Sequence, residues 1–135
     1  MTTDDTLADE REARRQQEIA RSALSLQARD PRVREAAARR LGDLRAPPAP
    51  LLTALHDPNS FVRAAAAHAL GLSDVSGASD EGLRSEVIEQ LLAAIDDQND
   101  YVCEAALGSL GLLNAQEARD QVLECLNDES ERVVR

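Results

Sequence analysis

The chain has 135 residues, of which 43% are hydrophobic and 1% aromatic, so it can bury a core but with few large rings in it. Phe61 and Tyr101 are its only aromatic residues. Strands are usually enriched in aromatic and β-branched residues, so this composition favours helices. The chain is predicted to fold as one domain over residues 1–135.

The formal net charge of −10 is concentrated after residue 45, where five Arg oppose sixteen acids. A nucleic-acid partner would require a basic stripe that this part of the chain does not offer, which excludes that class. We therefore expect a protein partner that is basic or neutral.

Nothing in the sequence indicates export or membrane insertion. Residues 1–10 are acidic and lack the apolar segment of a signal peptide, and no apolar run reaches the length of a membrane span. Cys103 and Cys125 have no second pair of metal-ligand spacing, so they are expected to be reduced thiols. These features predict a cytoplasmic protein without a cofactor, a metal or a membrane partner.

In chain order, the first predicted element is one long helix from Thr6 to about Ala28, with Ile19, Ala23 and Leu26 facing inward. Three prolines at positions 47, 48 and 50 prevent the next connecting helix from starting much before residue 49. Residues 73–82 are polar and rich in Gly and Ser, which predicts a surface loop. Helices are expected over residues 83–95 and 115–126.

One pattern recurs between these elements: an aliphatic residue, six connecting residues, a valine, then small residues ending in Leu-Gly. The copies are residues 26–42, 55–71 and 95–111, and a fourth from residue 126 stops at residue 135. The valines are Val33, Val62, Val102 and Val133.

Each copy predicts a second helix with one apolar stripe. From Val62 the stripe continues through Ala65, Ala66, Ala69 and Leu70, at the spacing of one helix face. Alanine on this stripe allows helix backbones to approach closely. The terminal glycines, at positions 42, 71 and 111, are expected to end the helices with a positive φ.

The repeated unit, Asp and Val-Arg followed by Ala-Ala-Ala and Leu-Gly, resembles HEAT repeats of the short type found in phycobilin lyase subunits. The resemblance implies an all-α fold, an α-solenoid of about three full repeats and a truncated fourth, stacked with a right-handed twist. It also implies a ladder between repeats that includes Asp57 and Arg63. Because Cys103 replaces the arginine in the third copy, we expect this ladder to be discontinuous and of modest energy if exposed.

Catalytic chemistry is not indicated. Deoxyhypusine hydroxylase, built from similar repeats, uses paired His-Glu ligands, whereas His56 and His68 are separate and neither precedes Glu. Acidic pairs lie in turns that are expected to be solvated, without a shielded cleft. Phe61 and Tyr101 occupy the same position in successive copies, which favours packing or capping of the stack over ligand binding.

Function is therefore expected on the concave face of the second helices, as a non-catalytic protein-binding scaffold. The outward ridge is predicted to contain Ala38, Ala67, Ala64 and Gly108, together with five candidate partner-binding residues: Glu35, Arg39, His68, Glu104 and Leu107. Leu107 either anchors the partner or packs on the next repeat.

Two alternatives remain open. The solenoid could be an accessory subunit of an enzyme such as a cofactor-attaching lyase. It could also self-associate through the C-terminal repeat, where Leu126 and Val133 would lack a covering repeat.

Overall fold

The computed structural model describes residues 3–74 and 81–113, and all regular structure in these residues is helical. The fold-class prediction is confirmed. The six helices within these described residues are α1 (Thr3–Ser25), α2 (Pro31–Asp43), α3 (Ala49–Ala54), α4 (Ser60–Leu72), α5 (Glu81–Ala94) and α6 (Asp100–Leu112).

The second helix of each unit begins at the same register because each has a side-chain cap. Asp30 accepts a hydrogen bond from the backbone N–H two residues later at 2.9 Å. Asn59 and Asn99 do the same at 2.8 and 2.9 Å. These caps satisfy N–H groups that have no partner inside the helix. They place α2, α4 and α6 in equivalent positions along the repeat.

The connecting helix of the second unit is short, as the prolines predict: α3 has six residues and follows Pro48. The segment before it is held by backbone hydrogen bonds. Ala46 is buried, its N–H donates to the carbonyl of Leu41 at 3.0 Å, and its carbonyl accepts from Asp74 at 3.3 Å. These backbone hydrogen bonds hold the segment in place where the prolines prevent further turns of helix.

The helices stack in sequence order as three pairs. Helix α4 packs between α2 and α6, while α1, α3 and α5 pack on α2, α4 and α6 respectively. The core follows this stack, and its largest fully buried side chains include one leucine from each of five helices: Leu41, Leu51, Leu70, Leu91 and Leu110. Ile19 of α1 closes the core at the first pair.

The predicted apolar stripe is buried in α4 and mostly buried in α6, but its first valine in α2 differs. Val62 and Val102 are fully buried, whereas Val33 is 43% exposed. The reason is position in the stack, since among the described residues α2 has a second helix on one side only. The sequence pattern alone does not distinguish the end of a stack from its middle.

The prediction for the repeat glycines is wrong. No described glycine has a positive φ, and Gly42, Gly71 and Gly111 lie inside their helices. A Cβ at Gly42 would lie 2.9 Å from the Ala69 Cβ, and one at Gly71 would lie 2.6 Å from the Ser109 Oγ. These two glycines are required for close helix approach and not for a turn. In the described part of the chain, a positive φ, of 51°, occurs at Arg45.

Several predicted features lie outside the described residues. They are the helix over residues 115–126, the fourth repeat copy, and the residues Cys125, Leu126 and Val133. Helix α5 begins at Glu81, two residues before the helix predicted from residue 83, and residues 75–80 of the loop predicted over residues 73–82 lie outside the described residues.

Candidate functional site

Two Arg–Asp pairs fix the turns from which the second helices start. Arg34 donates to both carboxylate oxygens of Asp57, with Nε–Oδ2 at 2.8 Å and Nη2–Oδ1 at 3.1 Å. Arg63 pairs with Asp97 in the same way, at 2.9 and 3.2 Å. Each arginine therefore reaches the aspartate of the following unit in a bidentate geometry, which is the strong form of this pair.

Each guanidinium also binds the turn of its own unit. Nη1 of Arg34 donates to the carbonyls of Ala28 and Arg29, both at 2.9 Å. Nη1 of Arg63 donates to the carbonyls of Asp57 and Pro58. The ladder thus joins consecutive units through both side chain and backbone.

The discontinuity expected in the ladder lies after its second pair, at Cys103, whose partner position at residue 128 is outside the described residues, so it stays a prediction. Both pairs are intact, and their side chains are 11–20% exposed. The condition for a modest contribution, an exposed pair, is not met. Cys103, which is buried, occupies the third arginine position.

One residue of each ladder pair has a shifted pKa. The hydrogen bond with Asp57 raises the pKa of Arg34 above its ordinary value. Burial alone would raise the pKa of Asp97, but the hydrogen bond from Arg63, the Asn99 N–H and the Arg63 charge together lower it. Both shifts favour the charged forms of Arg34 and Asp97.

The ladder fixes the turns from which the second helices start, and these helices form an open groove of about 830 Å³. All of its lining residues belong to α2, α4 and α6. The floor is α4, which contributes three alanines together with Phe61, His68 and Leu72. Because alanine side chains are short, a bound segment could approach the α4 backbone closely.

Four of the five candidate partner-binding residues line this groove. Glu35 and Arg39 come from α2, His68 from α4 and Glu104 from α6. Leu107 is not among the lining residues and is half-buried against the core, and whether it anchors a partner or packs on the next repeat stays a prediction. That the other four bind a partner remains a prediction.

Two of the ridge predictions are wrong. Ala38 and Ala67 were expected to point outward, but both are fully buried. The carbonyl of Ala67 accepts a hydrogen bond from the Ser109 hydroxyl, so this face of α4 lies against α6. Each helix therefore exposes a narrower strip of its surface to the groove than a helical wheel predicts.

The aromatic residues are also placed differently from the sequence-based expectation. Phe61 and Tyr101 are 61% and 66% exposed and both line the groove. Packing within the stack is therefore the wrong interpretation. Each is the second residue of its helix, where the Asn cap binds its N–H and the side chain projects outward. In the sequence, the asparagine two positions before each ring is the feature that could have indicated this exposed position.

The groove carries an excess of negative charge. Its charged lining residues are Glu35, Asp43, Glu104 and a single cation, Arg39. Arg39 is already paired with Glu35 at 2.8 Å. Among residues 3–74 and 81–113, no cationic side chain pairs with Glu104, because α6 has Gly108 at the position that Arg39 occupies in α2.

A second cavity of about 540 Å³ lies near the ends of α2 and α4 and is lined by Arg15. Arg15 donates to the carbonyls of Leu44 and Arg45, both at 2.9 Å, and to Glu12 at 3.0 Å. The Arg15 guanidinium therefore stabilises the fold through these hydrogen bonds and is not free to bind an anion.

The histidines are separate: the Nε2 of His56 lies 3.0 Å from the Oε1 of Gln90, while His68 lines the groove. Across the described part of the chain, no three His, Cys, Asp or Glu side chains gather as a metal-binding group. No helix there is both long and apolar enough to span a membrane.

A family model described as HEAT repeats matches residues 6–71. The chain is a HEAT-repeat protein. The match covers most of α1 and all of α2 and α3, and it reaches Gly71 in α4, while α5 and α6 repeat the same pairing. No curated protein matches the sequence. HEAT repeats are generally protein-interaction scaffolds and are typically non-catalytic. The likeness to phycobilin lyase subunits remains a prediction.

Proposed function

We propose that this HEAT-repeat protein is a non-catalytic scaffold that binds a protein partner in the groove formed by α2, α4 and α6. The observation that carries the proposal is that both aromatic residues of the chain are exposed in this groove. Exposing large rings to water is unfavourable, and aromatic side chains are enriched at the energetic centres of protein interfaces.

The architecture supports the same conclusion. A helical repeat stack binds through extended surfaces that several repeats build together. Here the groove spans three second helices, and the bidentate ladder holds their starts in register. A preformed surface loses less conformational entropy on binding than a flexible one. We propose a basic or neutral partner in the cytoplasm, because the groove excess of carboxylates disfavours acidic partners and nucleic acid.

The test is site-specific photocrosslinking in the native host. A benzophenone amino acid replaces His68 in the groove, and the matched control carries it at Glu89, an exposed residue of α5 outside the groove. We expect a discrete protein adduct from the groove position and none from the control. Absence of any adduct at position 68, or the same adducts at both positions, would contradict the proposal.

The identity of the adduct separates the two functional hypotheses. Capture of a non-enzymatic protein supports a scaffold, whereas reproducible capture of one enzyme supports an accessory subunit, for example of a cofactor-attaching lyase. The crosslink also tests self-association, since an adduct with twice the monomer mass would identify a second copy in the groove.

A further inference from the structure

We infer that the groove recognises a basic segment of its protein partner, and that an arginine or lysine side chain of this segment binds at Glu104, Tyr101 and Phe61. This inference rests on the proposed function and specifies the chemistry of the occupant. It is carried by the charge and exposure of Glu104 and by the exposure and common register of the two rings, all three of which line the groove.

The first step is the carboxylate. In α2, Glu35 is neutralised by Arg39 one helical turn later, at 2.8 Å. In α6, the equivalent of Glu35 is Glu104, and the equivalent of Arg39 is Gly108. Glu104 is exposed and has no cationic partner among the described residues. The same repeat position is therefore satisfied in one unit and available in another.

The second step is the pair of rings. Tyr101 precedes Glu104 by three residues, so both project from the same face of α6. Phe61 lies at the register of Tyr101 on the adjacent helix α4, and all three line one groove. The face of an aromatic ring attracts guanidinium and ammonium groups. Arginine suits this combination best because its planar group stacks on rings and also pairs with a carboxylate.

The third step excludes other occupants. A purely apolar segment would remove water from Glu104 without replacing its hydrogen bonds, which is costly. An acidic segment would be repelled. The chain's own residues 114–135 carry six acids and three arginines, and a second copy carries a net charge of −10, so neither complements the groove.

The experiment uses a display library of short random peptides, selected on the full-length protein. Selected peptides are synthesised with a fluorescent label, and affinity is measured by anisotropy. We expect enrichment of Arg and Lys, and weaker binding when these residues are replaced by citrulline or norleucine. Glu104→Gln should weaken binding about two- to fivefold, the range of an exposed ion pair. The matched control Glu89→Gln, on α5, should leave it unchanged.

The location of binding has its own reporter. The chain contains one tyrosine and no tryptophan, so its tyrosine emission comes from Tyr101 alone. An unlabelled peptide without Tyr or Trp should change this emission with the same affinity as the anisotropy titration. Phe61→Ala should weaken binding by a larger factor than Glu104→Gln if the rings supply most of the contact. Circular dichroism confirms that each variant is folded.

Three results would overturn the inference: selection of neutral or acidic peptides, no selection of any peptide, or equal affinity of the Glu104→Gln and Glu89→Gln variants. Its failure is distinguishable from failure of the proposed function. A discrete adduct from position 68 combined with any of these results means that the groove binds a protein through other chemistry. Absence of the adduct removes the proposed function as well.

Discussion

Replacing Gly71 with alanine tests how closely the second helices must approach each other. The new Cβ would lie 2.6 Å from the Ser109 Oγ and 2.8 Å from the Ser109 Cα. The second contact involves backbone, so a rotamer change cannot relieve it. Helix α6 must move away from α4, and the buried hydrogen bond from Ser109 to the Ala67 carbonyl must lengthen.

The expected magnitude combines three effects. Overpacking of a tight interface costs about 1–3 kcal/mol. Weakening the buried hydrogen bond costs about 0.5–1.5 kcal/mol. Replacing a helical glycine with alanine returns up to about 1 kcal/mol. We therefore expect Gly71→Ala to lower the free energy of unfolding by about 0.5–4.5 kcal/mol.

Glycines of α6 provide the matched controls. Gly111 is the equivalent repeat position, and Gly108 lies in the middle of the helix, and a Cβ at either would have no described atom within 4 Å. Each alanine variant there should gain up to about 1 kcal/mol from helix propensity alone. Urea unfolding followed by circular dichroism at 222 nm measures all three. If Gly71→Ala proves as stable as the wild type, or changes with the same sign as the controls, the close-approach explanation is wrong.

Three further predictions concern the ladder and the core. Arg63→Ala should lower the free energy of unfolding by about 1–3 kcal/mol, because Asp97 would keep a largely buried carboxylate without its charged partner; a loss below that range in urea unfolding would show that water replaces the arginine. The pKa of Asp97 is lower in the folded than in the unfolded chain, so its contribution to stability should be complete above the unfolded carboxyl pKa of about 3.9 and disappear as pH falls through the folded value. An Asp97→Asn variant should therefore lose less stability than the wild type over that acidic window. Parallel profiles of stability against pH for the two proteins would contradict this. Leu70→Ala and Leu110→Ala should each cost about 2–5 kcal/mol, since both side chains are buried; thermal or urea unfolding should show a far smaller loss for the exposed control Leu112→Ala, and equal losses would mean that the core is wrongly assigned.

Local pattern was sufficient for the elements of the fold. The spacing of Val62, Ala66 and Leu70 predicted one buried helix face, and that face is buried. The prolines before residue 51 predicted a short α3, since proline cannot occupy a helix interior without loss of a hydrogen bond. These features depend on dihedral preferences and periodicity, which neighbouring residues in the chain express without reference to the rest of the fold.

Such local patterns do not determine how the units pack against each other. The resemblance to HEAT repeats implied a ladder that includes Asp57 and Arg63, but periodicity alone does not give their partners, which are Arg34, 23 residues before Asp57, and Asp97, 34 residues after Arg63. The repeat glycines illustrate it as well, since the sequence marks a required glycine but does not state whether φ or a neighbouring helix requires it.

The sequence by itself determined that this protein is a stack of helix pairs, because each amphipathic unit leaves an apolar face that only another unit can cover. The tertiary structure alone decided which side of each helix remains open. Neighbouring helices can cover a helix on more than one face. Which faces they cover depends on the angle and separation of helices that are far apart in the chain. That is why Ala38 and Ala67 are buried while Phe61 and Tyr101 are exposed in the groove.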